Sequence, residues 1–471
     1  KKINRVQLKY SLTMKIILTK IYNLSDHIQP PLGLGYLANS VRPKHDVVIL
    51  DSIKENIKRD DFFSYLKDTS PDMVGFQVYT YDIPLLKEYL KIAKKANKIT
   101  IVGGPHPSAA PHETMTLFQE DLDFGFAGEA EIGFPLLLER LESSNQGFSD
   151  IPGLIWKEGS NIIINSPSYN QNIDQFSVAW DLIRPDEYPE AQHGAFFERF
   201  PIAPIIATRG CPFLCTFCAA HFVVGRKVRK RSIENIFEEI NFLYEKYHIR
   251  EFHLVDDNFT LNKKFVKNFC KKLLESNLDI SWATPNGVRL DTLDKECLEI
   301  MKESGLYLIS VGIESGSDRV LKMTKKELTV KKILNGVSVI KESGIDIAGF
   351  FMFGYPGETI EEMKKTIELS LKLPLIRANY FTFLPLPGTE IFNDMKKNNE
   401  LDKVDWGHFY FMNAVYSSNG ITRKHLKKIQ RQAFLKFYSR PGIIWKNLIK
   451  IKNFRHLKFL LKRFYHWIIM S

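Results

Sequence analysis

The order of its secondary-structure signals constrains this chain most strongly. Short apolar runs rich in β-branched residues alternate with helix-like segments along most of its 471 residues. Strands that are apolar along their whole length must be covered on both faces, so the alternation predicts parallel sheets between layers of helices. It stops near the middle of the chain and then resumes with a longer period. We therefore expect an α/β protein with two domains, which suits a chain of this length.

Residues 14–150 predict a doubly wound domain of the flavodoxin-like, Rossmann type. Ligands of such sheets bind beyond the carboxyl ends of the strands. Those ends carry Gly103-Gly104-Pro105-His106 and Gly128-Glu129-Ala130-Glu131, where a large planar or nucleotide-like cofactor would lie. The strand-like runs are residues 14–21, 46–53, 72–80, 98–106 and 123–131.

Residues 151–200 predict an ordered connector between the two domains. They begin with a hairpin-like stretch that turns at Gly159 and continue with an irregular segment rich in Asp, Gln and Pro. Residues 1–13 precede the first strand-like run and predict a disordered extension.

Residues 201–400 predict six βα units, which suit a partial (β/α)6 TIM barrel. In such barrels the chemistry gathers at the carboxyl ends of the strands. A helix cap or a surface ion pair explains each polar strand-end residue equally well by itself, so their shared position carries the argument. The strand-end residues are Asp256, Asp257, Asn286, Arg289, Glu314, Ser315 and Gly354.

Three of the five cysteines, Cys211, Cys215 and Cys218, lie within eight residues in the spacing C-x₃-C-x₂-C. A structural zinc site needs four closed ligands, for which His221 is the candidate fourth. A cubane 4Fe-4S cluster held by three thiolates instead leaves one iron open to a substrate or cofactor. The cubane is the favoured interpretation, and zinc is the alternative.

The other two cysteines, Cys270 and Cys297, share helical stripes with apolar residues, which predicts buried core thiols. Five cysteines with this spacing do not form a disulfide framework. We therefore expect a reducing, cytoplasmic compartment.

The cysteine loop resembles that of the radical S-adenosylmethionine (SAM) enzymes, in which C-x₃-C-x₂-C follows the first strand of a partial barrel. Phe217, just before the third cysteine, matches a common aromatic of that family. Further matches are RKVRKRS (226–232), VDDNFT (255–260), NGVRLD (286–291), VGIESGS (311–317), GYPGET (354–359) and PLPGT (385–389).

The resemblance extends over nearly the whole chain. PPLGLGYLA (30–38) and GGPH (103–106) are similar to the cobalamin-binding domain that precedes the barrel in one branch of the family. FYSRPGIIWKNL (437–448) is similar to members named as anaerobic magnesium-protoporphyrin monomethyl ester cyclase. The resemblance thus implies an N-terminal cobalamin-binding domain, a radical SAM core at 201–400 and a C-terminal region at 401–471.

The resemblance also implies the chemistry. A 4Fe-4S cluster binds SAM and, with electrons from an external flavodoxin or ferredoxin, cleaves it reductively to a 5′-deoxyadenosyl radical. With cobalamin as the methyl carrier, the expected activity is methylation of an unactivated carbon. The alternatives are a cyclase or rearrangement catalyst acting on a tetrapyrrole or lipid-like substrate and, outside enzymes, a corrinoid- or zinc-binding protein.

The residues implied to meet the cofactors are those at the strand ends, and no catalytic residue is assigned. The signature Asp-x-His-x-x-Gly, whose histidine ligates cobalt, is absent, since Asp26 and His27 are adjacent in Ser25–Gln29. A strand-end histidine such as His106 equally well satisfies a backbone carbonyl. The implied SAM contacts are Asp256, Asp257, Asn286, Arg289, Glu314, Ser315 and Gly354. The implied cobalamin contacts are Gly103, Gly104, His106, Gly128 and Glu129.

The positive charge of the chain is concentrated at its end. Residues 421–471 contain 14 Lys and Arg and no Asp or Glu, so the remainder is slightly negative although the net charge is +11. Docking on an anionic membrane surface, as a peripheral protein at its inner face, is one interpretation. Packing on the barrel explains the segment equally well, and nucleic-acid binding is less favoured. The predicted helical stripe is Leu457, Leu460, Leu461 and Phe464.

Overall fold

The computed structural model describes residues 13–23, 28–143, 147–190, 197–418 and 420–470, although the side chains of residues 463, 464 and 466–470 are not described. Residues 1–12 of the predicted extension and Ser25-Asp26-His27 of the first loop lie outside the described residues.

A seven-stranded sheet organises the N-terminal part of the protein. Its strands are β1 (Lys15–Lys20), β2 (Asp46–Asp51), β3 (Met73–Gln77), β4 (Ile99–Gly103), β5 (Phe124–Phe126), β6 (Leu154–Glu158) and β7 (Asn161–Ile164). Their order is β2-β1-β3-β4-β5-β6-β7, with β1 to β5 parallel and the last two antiparallel. The five parallel strands are those that the alternation predicts.

Helices cover both faces of this sheet, as continuously apolar strands require. Apolar side chains of α2 (Arg59–Thr69), α3 (Ile83–Lys95) and α5 (Pro111–Leu117) fill one core. Those of α1 (Leu32–Val41) and α6 (Gly133–Glu142) fill the other. The short helix α4 (Pro105–Ala109) follows β4 directly.

The hairpin that the sequence places in the connector belongs to this sheet instead. β6 pairs with β5, so the sheet continues to Ile164, past the expected boundary at residue 150. The pairing buries the apolar side chains of Leu154 and Ile155, which would be exposed in a free connector. Gly159 forms the turn with a φ of +62°, a conformation that favours glycine. The connector proper is shorter and contains α7 (Trp180–Ile183).

The second sheet has six parallel strands that curve into the predicted partial barrel. They are β8 (Ile202–Ile205), β11 (Glu251–Leu254), β12 (Ser281–Val288), β13 (Leu306–Glu314), β14 (Asp346–Phe353) and β15 (Arg377–Thr382), hydrogen-bonded in that order. Between the first two lie the short antiparallel strands β9 (Thr208–Arg209) and β10 (Arg229–Lys230). β8 and β15 are the two edges of the sheet.

A layer of helices surrounds the barrel strands and buries an aromatic core. The ring of Trp282 stacks on Phe252 at 5.9 Å and meets the edge of Phe269 at 5.7 Å. Cys270 and Cys297 are fully buried in this layer, which confirms the prediction of core thiols. The helices are α8 (Ala220–Val224), α9 (Ile233–Lys246), α10 (Lys263–Glu275), α11 (Lys295–Glu303), α12 (Asp318–Met323), α13 (Val330–Glu342), α14 (Ile360–Lys372) and α15 (Glu390–Lys397).

Three C-terminal helices complete the fold: α16 (Arg423–Tyr438), α17 (Pro441–Leu448) and α18 (Phe454–Met470). α16 covers the edge strand β15, where Gln430 Nε2 donates to the Tyr380 carbonyl at 2.8 Å. The two later helices pack near the amino ends of the barrel strands. There Lys450, between the two helices, pairs with Asp346 at the start of β14, and Phe459 of α18 packs against the cluster formed by Phe197 and Ile202. In the described part of the chain, no helix combines the length and the apolar character needed to span a membrane.

Candidate active site

The cysteine loop is a closed structure rooted in β9 and β10. Its backbone is tied by the Cys211 N–H, which donates to the Gly225 carbonyl at 3.2 Å, and by the Cys218 N–H, which donates to the Cys215 carbonyl at 3.2 Å. Gly210 enters the loop with a φ of +101°, and a Cβ there would lie 2.4 Å from the Lys227 carbonyl oxygen. Only glycine fits this entry, because any side chain would force the loop open.

The three thiols are half-buried and surrounded by charged groups. Burial raises the pKa of Cys218 to about 11, and the negative charge of Asp257 adds to this effect. Burial also raises the pKa of Cys211, and the positive charge of Arg289 partly offsets this rise. Asp257 and Arg289, both predicted SAM contacts, therefore lie beside the cysteine loop. A metal that binds thiolates would deprotonate these groups.

The donor set fits a cubane better than a single zinc ion. Among the described residues, no group of three or more His, Cys, Asp or Glu side chains could hold one metal ion. Zinc requires four donors that converge on one point. A cubane offers a separate iron to each thiolate, so three thiols in one loop suffice. The ring of His221 packs against Phe222 at 4.0 Å.

A cavity of about 380 Å³ lies between the two sheets. One wall is the carboxyl edge of the first sheet, including Gly103, Gly104, Gly128 and Glu129. The opposite wall comes from the barrel and includes Thr208, Arg209, Asp256 and Asp257. The lining is mostly apolar, and a Cβ on Gly103 would meet open space, which suits the face of a large planar group.

His106 is the predicted cobalamin contact that the structure does not place on this cavity wall. Its side chain is buried in α4, where Nδ1 shares a 3.1 Å hydrogen bond with the Thr80 hydroxyl. The sequence offered a backbone carbonyl as the alternative partner of this ring, and the structure places the Thr80 hydroxyl there. Burial lowers the pKa of His106 to about 4, so the ring is neutral at pH 7.

Asp256 is buried at the end of β11 and orders the start of the cysteine loop. Its carboxylate accepts hydrogen bonds from the Ala207 N–H at 2.8 Å, the Thr208 N–H at 2.7 Å and the Thr208 hydroxyl at 2.6 Å. Burial outweighs these bonds and raises the pKa of Asp256 to about 7. No hydrogen bond holds the adjacent Asp257 within the described residues, and its carboxylate, which lines the cavity, is the freer one to meet a ligand.

Arg289 occupies a position between the cysteine loop and the barrel mouth. Its guanidinium lies 3.7 Å from the ring centroid of Phe213 in the loop and forms two hydrogen bonds with Asp291. Its Nη1 is buried and has no hydrogen-bond partner in the described residues. A buried guanidinium nitrogen is costly to leave unpaired, so this atom suits a ligand carboxylate.

Glu314 and Asn286 also reach the carboxyl ends of the barrel strands. Glu314 pairs with Lys326 at 2.8 Å, and the charge of Cys215 contributes to the raised pKa of that lysine. Asn286 is exposed, and its Nδ2 donates to the Val255 carbonyl at 2.7 Å across the neighbouring strand.

The structure gives Ser315 and Gly354 partners within the protein. The Ser315 hydroxyl lies 3.2 Å from the Thr366 hydroxyl of α14, and the side chain is buried there. A Cβ on Gly354 would lie 2.6 Å from Leu426 of α16, so this glycine permits the close approach of a helix. Both residues therefore shape the strand ends and are not brought to the cavity.

Sequence reasoning assigned no role to Arg209, Arg229 and Lys326 and did not predict that Glu131 pairs with Arg209. Of these residues, only Glu131 and Arg229 lie in the acidic run at 128–131 and the basic run at 226–231 that the sequence shows. Opposite charges in distant segments predict a contact only once the fold brings the two segments together.

Comparison with known proteins agrees with the two-domain fold. The B12 binding domain matches residues 19–138, and the radical SAM superfamily matches residues 205–370. An uncharacterized methyltransferase of Pyrococcus horikoshii is 32% identical over 438 residues, which cover 92% of each chain. The anaerobic magnesium-protoporphyrin IX monomethyl ester cyclase of Cereibacter sphaeroides is 23% identical, with coverage of 88% of this chain and 68% of the cyclase.

The fold is also that of a solved cobalamin-dependent enzyme. The cobalamin-dependent S-adenosylmethionine radical enzyme OxsB, with aqua-cobalamin and SAM bound, has a TM-score of 0.74 and 17% identity to this chain. The similarity covers 97% of this chain and 72% of OxsB.

These findings define a radical SAM enzyme that carries an N-terminal B12-binding domain. Within that class, the chain belongs to the family of cobalamin-dependent radical SAM methyltransferases and their relatives. Its cofactors are accordingly a 4Fe-4S cluster, SAM and cobalamin.

Proposed function

We propose that this enzyme transfers a methyl group to an unactivated carbon of a small molecule. The observation that carries the proposal is a cavity that both sheets line. The glycines that end β4 and follow β5 form one wall, and Asp256 and Asp257 beside the cysteine loop form the other. A methyl carrier on the first wall and SAM on the second would therefore face the same space.

When bound, the cluster and cobalamin supply one-electron cleavage of SAM and carriage of a methyl group. The protein contributes binding, orientation and exclusion of water. Cys211, Cys215 and Cys218 would hold the cluster, and Gly103 and Gly104 would allow the corrin to approach the sheet edge.

Three side chains suit the polar end of SAM. Arg289 offers its unpaired Nη1 to the carboxylate, and Asp257 offers its carboxylate to the amino group. Glu314, held by Lys326, can accept hydrogen bonds from the ribose hydroxyls.

The other predicted site residues have different positions. Gly128 lines the cavity beside the corrin position, and Asn286 lies at the mouth of the barrel. Asp256, Ser315 and Gly354 support the site through the backbone that they order, and Glu129 and His106 support the cobalamin wall from within the protein.

Anaerobic purification and turnover test this function. Brown protein with about four irons and one cobalt per chain is expected. With SAM that carries a deuterated methyl group, the product should gain that methyl, and 5′-deoxyadenosine should form in step. Iron and cobalt with a cyclised or rearranged product and no methyl gain would establish the alternative. Colourless protein that binds zinc would refute the cubane and, with it, the enzyme mechanism.

The partners form a second part of the proposal. A flavodoxin or ferredoxin supplies the electrons, and the substrate is a lipid or tetrapyrrole. The protein works in the cytoplasm at the inner face of an anionic membrane. What supports this docking is that α17 buries Ile443 but exposes the opposite face, in a segment that lacks acidic residues. The exposed apolar side chains are Ile444, Trp445, Leu448 and Ile449, with Phe454, Leu461 and Tyr465 of α18.

The predicted stripe of α18 is only partly the outward one. Leu457 and Leu460 are half-buried, whereas Leu461 is exposed. The side chain of Phe464 lies outside the described residues. One face of the helix is thus partly buried, and another is exposed.

A further inference from the structure

The base of the cysteine loop carries two buried like charges. Arg209 and Arg229 are cross-strand partners in the β9–β10 pair, and their side chains are 6% and 1% exposed. Like charges directly opposite each other destabilise a strand pair. Burial adds to the cost, because a buried charge needs a partner. The loop therefore closes only if other groups neutralise both arginines.

The neutralising groups come from the other domain. Glu129 Oε1 lies 2.6 Å from Arg229 Nη2 and 3.3 Å from Arg209 Nη1, so one carboxylate bridges both arginines. Its Oε2 accepts a second hydrogen bond from Arg229 Nη1 at 2.8 Å. Glu131 pairs with Arg209 at 2.7 Å. Both carboxylates also line the cavity between the sheets.

The two arginines also contact other parts of the protein, and Arg229 holds the far end of the loop. Arg229 Nη2 donates to the Val224 carbonyl at the end of α8 at 2.7 Å, and Nη1 donates to the Asn170 carbonyl of the connector at 3.0 Å. The ring of Tyr36 of α1 supports the Arg209 guanidinium at 4.6 Å. One buried network thus joins the first domain, the connector and both ends of the cysteine loop.

We propose that Glu129 is a positioning residue for the cysteine loop, and that it acts by neutralising Arg209 and Arg229 together. That the loop holds a 4Fe-4S cluster rests on the function proposed above, but the positioning of the loop by Glu129 does not. Without the Glu129 charge, Glu131 alone remains to balance two buried guanidinium groups across a two-residue ladder, and it pairs only with Arg209. The ladder then opens, and the three cysteines lose their fixed arrangement. The wall of the cobalamin cavity and the cluster loop are thereby coupled through one side chain.

Alkylation of the metal-free full-length protein tests this directly. In Glu129→Gln we expect Cys211, Cys215 and Cys218 to react with iodoacetamide several-fold faster than in the wild type, as followed by peptide mass spectrometry. Cys270 and Cys297, buried in the helical layer, are internal references and should not change. Glu362→Gln is the control: it removes the charge of another buried carboxylate, on α14, whose partner Arg319 on α12 is about half-exposed and lies away from the β9–β10 ladder.

A charge-balancing variant separates positioning from general loss of stability. In Glu129→Gln/Arg229→Gln only one buried arginine remains at the ladder, so the alkylation rates should return part of the way toward the wild type. After anaerobic reconstitution, iron retention should follow the same order. Unchanged loop reactivity in Glu129→Gln, or equal increases at Cys270 and Cys297, would overturn the proposal. A wild type that binds no iron would refute the proposed function and leave the alkylation result to judge the positioning alone.

Discussion

Glu314 and Lys326 form a 2.8 Å ion pair at the carboxyl end of β13, and neither side chain is more than 13% exposed. Glu314 adopts a φ of +64°, next to a register shift between Gly312 and Glu314. A non-glycine residue in the left-handed region is strained by about 1–2 kcal/mol. Such strain persists only where the surroundings enforce it, and here it directs a carboxylate to the mouth of the barrel.

Replacing Lys326 should leave the Glu314 carboxylate without its ion-pair partner. Lys326→Met leaves Glu314 buried without its cation, which costs about 3–5 kcal/mol for a fully buried pair. We expect binding of SAM to the reconstituted enzyme to weaken at least about tenfold in calorimetry, together with a lower free energy of unfolding. Lys325→Met removes the neighbouring lysine, whose pair with Glu390 is half-exposed, and should change neither quantity by more than about 0.5 kcal/mol. Equal effects of the two substitutions would contradict the assignment.

Removal of one loop thiol should abolish the cluster. Cys215→Ala leaves two protein ligands, so anaerobic reconstitution should retain little iron and reductive formation of 5′-deoxyadenosine should fall to background. Cys297→Ala is the control, since that thiol lies in the helical layer and its loss should lower stability only. Undiminished SAM cleavage in Cys215→Ala would rule out the proposed site.

The entry of the cysteine loop can be tested with a single methyl group. Gly210→Ala places a Cβ against the Lys227 carbonyl, so iron retention should drop severalfold and the loop cysteines should alkylate faster. Gly344→Ala serves as its control. That glycine also has a positive φ, of +72°, but its Cβ would meet open space, so only a modest loss of stability is expected. Iron retention at the wild-type level in Gly210→Ala would show that the loop tolerates a wider entry.

Glu358 should make the stability of the protein depend on pH in the neutral range. Burial raises the pKa of Glu358 to about 8, although the Gly354 and Tyr355 N–H groups donate to it. Since the folded pKa exceeds the unfolded value of about 4.3, its stabilising contribution is complete below the unfolded pKa and is lost as the pH rises toward 8. The slope cannot exceed about 1.4 kcal/mol per pH unit.

Glu358→Gln keeps the acceptor oxygen and removes the titration. Urea unfolding of the wild type and of this variant at pH 5.5 and pH 8.5 should show the variant gaining relative stability at the higher pH. A constant difference between the two proteins would mean that Glu358 is ionised at both pH values.

Membrane docking should depend on the outward face of α17. Trp445→Glu combined with Ile449→Glu puts two negative charges on that face, so flotation with vesicles containing phosphatidylserine should fall sharply. Leu334→Glu replaces an exposed apolar residue on α13, within the barrel layer, and should float like the wild type. Binding should weaken as salt rises, because it draws on the basic segment. Flotation that survives the double substitution would refute the docking surface.

The strands of both sheets could be predicted from the sequence because their burial on both faces leaves long apolar runs. The hairpin β6–β7 was placed in the wrong unit for a physical reason. Antiparallel strands need no crossover helix, so the alternation that marks the first domain ends before the sheet does. Local pattern alone does not say to which edge a hairpin is added.

The site was predictable in part for a similar reason. Asp257 and Arg289 lie beside the cysteines because strand ends in one barrel share one rim. Ser315 follows a strand as well, yet its hydroxyl contacts Thr366 of α14. The spacing of residues in the sequence does not predict the direction of a side chain next to a β-bulge. Glu129 lines the cavity as the cobalamin prediction requires, but the sequence did not show that its oxygens also bind two arginines from a distant segment. Such pairings depend on the packing of whole domains.

The position of α17 and α18 near the amino ends of the barrel strands has a consequence for substrate traffic. A bilayer bound to their outward faces would lie at the amino ends of the barrel strands, whereas the barrel residues that line the cofactor cavity lie at the carboxyl ends. A membrane-resident acceptor would then have to leave its leaflet entirely and travel around the protein before it could react. Anchored in this way, the enzyme is better oriented to receive its substrate from the aqueous side, delivered by a carrier or as a soluble precursor.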